Sequence, residues 1–164
     1  MPADRRPADI TNLTTTLSPS RPAGAYASLL ALADRIPLSL VQLAGRVAIF
    51  NVFWNSAHSK LASWPVTLQL FALEYRVPLL PPEFAATLAT AAELGGSALI
   101  LLGLFTRFAA LALLGVVAVI QLFVFPGHWS EHLLWASLLL LMLARGAGVV
   151  SLDHAAGRFL FAKR

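Results

Sequence analysis

Four apolar segments, each about as long as a bilayer is thick, constrain this sequence more than any other feature. They cover residues 37–56, 83–103, 108–125 and 133–148. A hydrocarbon core of roughly 30 Å is crossed by about 20 apolar residues in a helix. Helices also satisfy their backbone hydrogen bonds internally, as a segment in lipid must. We therefore predict an all-α integral membrane protein, a four-helix antiparallel bundle with four transmembrane helices.

The composition leads to the same class. The chain of 164 residues is 58% hydrophobic and 12% charged, whereas soluble domains are about 45–50% apolar and about 25% charged. So small a globule cannot hide this much apolar surface, and the lipid bilayer is the expected partner. The chain has no cysteine, which excludes disulfides and thiolate chemistry on it. Its net charge of +4 comes without basic and aromatic residues interleaved on one face, so we expect no nucleic-acid partner.

The segments around the spans are polar or only short. Residues 1–22 are rich in Pro, Ser and Thr and predict a disordered cytoplasmic tail. Residues 23–36 predict a short cytoplasmic interfacial helix, and residues 149–164 a cytoplasmic interfacial tail. The long link after the first span holds an apolar run at 66–75 between prolines. That run predicts a short helix in the outer interface.

The distribution of Lys and Arg gives the orientation. With four spans, both termini lie on one side of the membrane. Nine Lys and Arg residues in the tails, in the inner turn and at the end of the fourth span fall on that side, whereas only Lys60 and Arg76 fall on the other. The excess of positive charge on cytoplasmic loops therefore predicts that both termini are cytoplasmic.

Two charged residues lie near the middle of predicted spans, Arg46 in the first and Glu93 in the second. At about 1.5 Å per residue, both lie roughly 14–15 Å from the predicted cytoplasmic edge. An unpaired Arg at the centre of a span costs about 2.5–3.5 kcal/mol on insertion scales. We therefore predict an intramembrane pair of Arg46 with Glu93, with Gly45, Gly95 and Gly96 allowing their helices to approach. The pair either fixes helix packing or forms a ligand or proton site, and the sequence leaves both readings open.

Further polar residues are predicted at the outer end of the bundle. Lys60, Gln121 and Glu131 border its outer mouth, where a polar ligand could enter. A second group is a candidate transition-metal site, because imidazole suits such ions; its members are His58, His128 and His132. No catalytic residue is assigned. No dinucleotide or phosphate-loop motif is present, so any catalysis would need a bound cofactor or a partner.

Five sequence pieces together resemble the DoxX family of small bacterial and archaeal membrane proteins. They are Arg46, Lys60, AAELGGSALILLGLFTR, Glu131 and GAGVVSLD, and the resemblance covers roughly residues 41–153. The resemblance implies a four-helix bundle in the bacterial cytoplasmic (inner) membrane. Some relatives are subunits of thiosulfate:quinone oxidoreductase or partners in membrane redox and detoxification complexes.

The resemblance implies one function, and the residues leave another open. By resemblance, we expect an accessory or quinone-interacting subunit of a membrane-associated redox or detoxification complex. Because the sequence has no cysteine, no recognisable redox centre and no soluble domain, we do not expect it to be an enzyme on its own. Its partner would be a soluble or membrane redox protein, and a homo-oligomer is compatible with such a bundle. The alternative is a non-enzymatic membrane module for metal or small-solute handling, or for scaffolding.

Overall fold

A computed structural model describes residues 21–161, with side chains described for Gly24 and for residues 26–159. The predicted tail 1–22 lies outside these residues except for its last two positions, as do the three C-terminal residues. Every regular element in the described part is helical, which confirms the all-α class for it. The chain divides into two units at Ile36 and Pro37. In the first unit, helix α1 covers Arg21–Ala33, where a short helix was predicted.

The second unit contains four long helices. Helix α2 covers Leu38–Ala62 and follows Pro37, whose extended backbone precedes the first helical turn. Helix α4 covers Pro82–Leu102 and begins with a proline, which has no N–H to leave unpaired in the first turn. Helix α5 covers Thr106–Val119 and continues as a π-helical turn, Ile120–Val124. Helix α6 covers Trp129–Arg145.

Three shorter elements connect or follow these helices. Helix α3 covers Trp64–Leu70 and continues as a π-helical turn, Phe71–Tyr75, in the link where a short helix was predicted. The α4–α5 connection is tight: Gly103 ends α4 in a left-handed conformation, with φ of 65°. Helix α7 covers Leu152–Phe161 and follows a loop in which Gly146 and Gly148 also have positive φ.

The helices of the second unit pack around one apolar core. Helix α2 packs against α4 and α6, and α5 packs against both α4 and α6. The core side chains come from all four long helices, and the largest of them are Ile49, Phe53, Ile100, Leu113, Leu139 and Met142. Outside this core, many large apolar side chains on the same helices are exposed, as in a protein that contacts lipid.

The described part of the chain contains two helices that are long and apolar enough to cross a membrane. They are Pro82–Leu102 and the continuous stretch Thr106–Val124. A third is counted if Tyr26–Ala33 and Leu38–Ala62 form one broken span. Helix α6 has 17 residues, at the lower limit for a transmembrane helix.

Three details differ from the sequence-based expectation. Helix α2 extends six residues past Ser56, to Ala62, because the next break in the sequence is Ser63 with Pro65. Helix α6 begins at Trp129, so most of the predicted outer loop is already helical. The glycines do not face the α2–α4 interface: a Cβ added at Gly45 would meet Leu138 and Met142 of α6, and one added at Gly96 would meet Leu113 of α5.

Candidate functional site

The carboxylate of Glu93 forms a salt bridge with Lys60, at the far end of α2 from Arg46. Lys60 Nζ lies 2.9 Å from Oε1 and 2.7 Å from Oε2 of Glu93. The same ammonium donates to Ser56 Oγ at 2.8 Å, so all three of its protons have acceptors. Glu93 is 1% exposed and the Lys60 side chain 16% exposed. This is the one salt bridge between described residues, and it lies inside the helix bundle.

Arg46 does not contact Glu93, so the predicted Arg46–Glu93 pair is wrong. The guanidinium instead donates to four backbone carbonyls and is 3% exposed. Two of these carbonyls, on Ile100 and Leu101, belong to the last turn of α4. The other two belong to the loop after α6, at Ala147 and Val150. Arg46 therefore fastens the end of α4 to that loop.

One geometric rule explains why Glu93 pairs with Lys60 rather than with Arg46. Side chains of an α-helix lean toward its N-terminus. On α2, this direction takes the Arg46 guanidinium away from Glu93 and brings the Lys60 ammonium toward it. The depths estimated from the sequence also assumed that α2 begins, and α4 ends, in the same plane of the membrane. In fact the first turns of α2 lie beside the loop after α6, where Gln42 Nε2 donates to the carbonyl of Gly146 at 3.1 Å.

A cavity of about 870 Å³ lies beside the Lys60–Glu93 pair, and both residues line it. Its walls come from α2, α4, α5, α6 and the two π-helical turns. Most of the lining is apolar. Ligand pockets in proteins commonly measure about 300–1,000 Å³ and combine apolar walls with a few polar groups. This cavity has that size and composition.

Small side chains on two helices leave room for the cavity. Ala85, Ala89 and Ala92 line it from α4, at spacings of four and three residues that keep them on one helical face. Ala112 and Gly115 line it from α5 with the same spacing. A Cβ added at Gly115 would meet no atom within 4 Å. These positions were not predicted, although small residues repeated at this spacing can be recognised in a sequence.

Seven aromatic rings form a continuous series along the cavity wall. Consecutive ring centroids are 5.0–6.2 Å apart, within or near the range of favourable aromatic contacts. In order, the rings belong to Phe71, Tyr75, Phe125, His128, His132, Trp135 and Phe53. All seven line the cavity. No sequence pattern reveals this series, because its members come from three helical segments and from the loop before α6.

The two π-helical turns bring the Phe71–Tyr75 and Ile120–Val124 segments to the same cavity. Tyr75 and Phe125, at or next to the ends of these turns, stack edge to face at 5.9 Å. π-Helical turns inside helices are rare and frequently lie at functional sites. Burial raises the pKa of the Tyr75 phenol, and the carboxylates of Glu74 and Glu93 raise it further. The phenol therefore stays protonated and is available as a hydrogen-bond donor.

His132 is buried and held in a defined tautomer by Gln121. Gln121 Nε2 donates to the carbonyl of Pro126 at 2.8 Å. Its Oε1 must then be the acceptor in the 2.6 Å contact with His132 Nδ1. His132 Nδ1 thus carries a proton, which leaves Nε2 as the nitrogen available to a ligand. Gln121 does not line the cavity itself but orients a residue that does, whereas Glu131 lines it directly.

The three histidines predicted as a metal site are not brought together as one. His58 Nδ1 contacts the Trp54 carbonyl at 2.9 Å, and its ring packs on the Trp54 indole. Only His128 and His132 line the cavity, with ring centroids 6.2 Å apart. Within residues 21–161, no group of three or more His, Asp or Glu side chains is arranged to hold a metal ion. The metal-site prediction for His58, His128 and His132 is therefore wrong, because His58 points back onto its own helix.

Comparison with known families settles the relationship suggested by the sequence. Residues 41–126, more than half of the chain, match the family model of DoxX. The chain belongs to the DoxX family. This confirms the resemblance, and with the apolar helices it makes the chain a DoxX-family membrane protein. No curated protein and no solved structure matches the chain.

The matched part of this DoxX-family chain contains Arg46, Lys60, Glu93 and both π-helical turns. Glu131 and the GAGVVSLD segment lie beyond it. In that segment, Asp153 accepts hydrogen bonds from the backbone amides of Phe105 at 2.8 Å and Thr106 at 3.0 Å. Asp153 therefore caps the first turn of α5, and its own amide donates to the Gly103 carbonyl.

Proposed function

We propose that this DoxX-family protein binds a quinone, or a ligand of the same chemistry, in the cavity beside Lys60 and Glu93. It would do so as an accessory subunit of a redox complex in the bacterial cytoplasmic membrane. The proposal includes the four-span antiparallel bundle formed by α2, α4, α5 and α6, with both termini in the cytoplasm. Lys60 and the cavity then lie in the outer half of the bilayer. The observation that carries the proposal is a large apolar cavity with a buried ion pair in its wall.

The cavity fits the two parts of a quinone. Its aromatic series offers flat, apolar faces to the ring. Two polar groups on different walls, the Tyr75 hydroxyl and His132 Nε2, suit the two oxygen atoms of the ring. Protonation of Nε2 makes that nitrogen a donor, whereas in the neutral ring it accepts from a quinol hydroxyl. A redox partner protein docked on the bundle would supply or remove the electrons.

Filling the cavity tests the proposal. Gly115→Leu places a large side chain where a new Cβ meets no neighbour, so the fold should tolerate it. Gly95→Leu is the matched control, because Gly95 is equally uncrowded but does not line the cavity. A short-chain quinone is titrated into each purified variant in detergent, and quenching of tryptophan fluorescence reports binding beside Trp135.

We expect saturable binding in the parent protein and in Gly95→Leu, and at least about tenfold weaker binding in Gly115→Leu. Unchanged quinone binding in Gly115→Leu would refute the cavity as the site. Binding of a long-chain alcohol without any binding of the quinone would favour the alternative function, a module that handles small apolar solutes. Organic extracts of the gently purified protein, analysed by mass spectrometry, identify the natural ligand.

A further inference from the structure

A second concave surface, which we name the basic cleft, lies at the other end of the bundle. It has a volume of about 700 Å³ and is formed by the start of α2, the start of α5 and the segment from the end of α6 to α7. Its polar lining includes Gln42, Arg107, Arg145, Asp153 and His154. None of these residues lines the cavity beside Lys60 and Glu93. The cleft is therefore independent of the proposed quinone site.

The lining of the cleft carries more positive than negative charge. Arg107 and Arg145 both line it, and neither forms a salt bridge with any residue between 21 and 161. The one carboxylate of the cleft, Asp153, already accepts from the amides at the start of α5. Two guanidinium groups beside an occupied carboxylate favour an anion with several acceptor oxygens. Phosphate oxygens match the planar donor fork of arginine.

The rim of the cleft is apolar and exposed. Leu38, Phe105, Phe108 and Val149 line the cleft, and each side chain is 49–75% exposed. A free phosphate ion gains nothing from such a rim. A phospholipid gains additional contacts, because its acyl chains can pack on the apolar side chains while its headgroup meets the arginines. Basic pockets between membrane helices are known to bind anionic headgroups.

We infer that the basic cleft binds the phosphodiester headgroup of an anionic phospholipid, through Arg107 and Arg145. The bound lipid would contact the start of α2, the start of α5 and the start of α7 at once. It would therefore add to two internal connections, that of Arg46 with the loop before α7 and that of Asp153 with the start of α5. The site concerns lipid binding in the leaflet next to the C-terminus and does not depend on what the other cavity binds.

The test compares lipids and arginine variants of the full chain in detergent. Phosphatidylglycerol is titrated against the parent protein, with phosphatidylcholine as the zwitterionic lipid and inorganic phosphate as the free anion. Native mass spectrometry counts the bound lipids, and the melting temperature reports stabilisation. The variants are Arg107→Gln, Arg145→Gln and their combination. Arg158→Gln is the matched control, since Arg158 is exposed on α7 but does not line the cleft.

We expect phosphatidylglycerol to bind at least about tenfold more tightly than phosphatidylcholine. Each single Gln variant should weaken that binding several-fold, and Arg158→Gln should leave it unchanged. Both arginines are exposed, so these single variants should fold. Equal binding in the double variant would overturn the proposal, and so would an equal loss in Arg158→Gln. Competition by millimolar inorganic phosphate would also overturn it, because the ligand would then be the free anion.

Discussion

Arg46 and Lys60 lie on the same helix, but their roles differ because their charges have different acceptors. Arg46 has only backbone carbonyls as partners, two of them at the end of α4, where carbonyls lack helical donors. Lys60 has a carboxylate, and this pair lines the cavity. We therefore assign Arg46 to stability and the Lys60–Glu93 pair to the site.

Double substitutions should distinguish the role of Lys60 from that of Arg46. In Lys60→Met or Glu93→Leu, one charge stays buried without its partner, which in buried pairs costs about 3–5 kcal/mol. The double variant should recover much of that loss, because an apolar pair can replace a buried ion pair at little cost. The melting temperature of each of the three variants in detergent measures these losses. The 16% exposure of Lys60 places the loss for Glu93→Leu at the low end of this range.

The control for that experiment is the cycle that combines Arg46→Leu with Glu93→Leu. These two side chains share no hydrogen bond, so their effects should add. A large coupling between Arg46 and Glu93, with none between Lys60 and Glu93, would contradict the structure. Sequence alone identified all three residues but not the correct pair. Pairing depends on side-chain direction and on the relative height of two helices, and neither quantity can be read from apolar segment lengths.

Among the elements, the tight connection between α4 and α5 depends on one residue, Gly103. Its φ of 65° is a conformation that favours glycine. A Cβ at this position would lie 2.5 Å from the Ser151 Cβ and 2.9 Å from Arg46 Nη2. The end of α4, the start of α7 and the Arg46 guanidinium therefore meet at a position that has no space for a side chain.

Gly103→Ala should consequently destabilise the protein by more than about 1 kcal/mol, the usual cost of alanine in a left-handed conformation. The matched variant is Gly115→Ala, in the interior of α5, where the new methyl group meets no atom. Alanine favours a helix by up to about 1 kcal/mol over glycine, so this variant should be neutral or slightly more stable. Thermal unfolding in detergent would show the difference. Equal melting temperatures for the two variants would mean that the turn tolerates a side chain.

The sequence predicted the existence of the long helices better than the details at their ends. Apolar runs bounded by Pro37, Pro82 and Gly103 predict where α2 and α4 begin and where α4 ends, because these residues interrupt helices for local reasons. The π-helical turns were not predicted, since each keeps the composition of the helix that it continues. The aromatic series was missed for a related reason: its rings meet only once separate elements have packed.

For the whole molecule, the proposed four-span arrangement predicts which surface each loop reaches. The chain has no cysteine, so single-cysteine variants report one position each. Leu79→Cys and Ser130→Cys should react with a membrane-impermeant maleimide from outside the cell. Phe105→Cys and His154→Cys should react only from the cytoplasmic side. All four residues are exposed in the structure, so each should be labelled once the membrane is dissolved.

Labelling of Ser130→Cys and His154→Cys from the same side would show that α6 does not cross the membrane. This is the sharpest comparison, because α6 has only 17 residues. Ser130 lies in its first turn, and His154 lies beyond its other end, in α7. The same result would leave the helix packing intact but would place the basic cleft and the cavity on one side of the membrane.

The apolar core separates the two concave surfaces of the molecule. Along α2, the order is Gln42 at the cleft, then Ile49 in the core, then Lys60 at the cavity. Along α6, Arg145 is followed in the same direction by Met142 and Leu139, and then by His132. A hydrated ion would have to give up its water to pass this apolar layer, which is energetically costly. In the proposed arrangement, the protein can therefore hold a ligand within the bilayer without conducting protons or other ions across it.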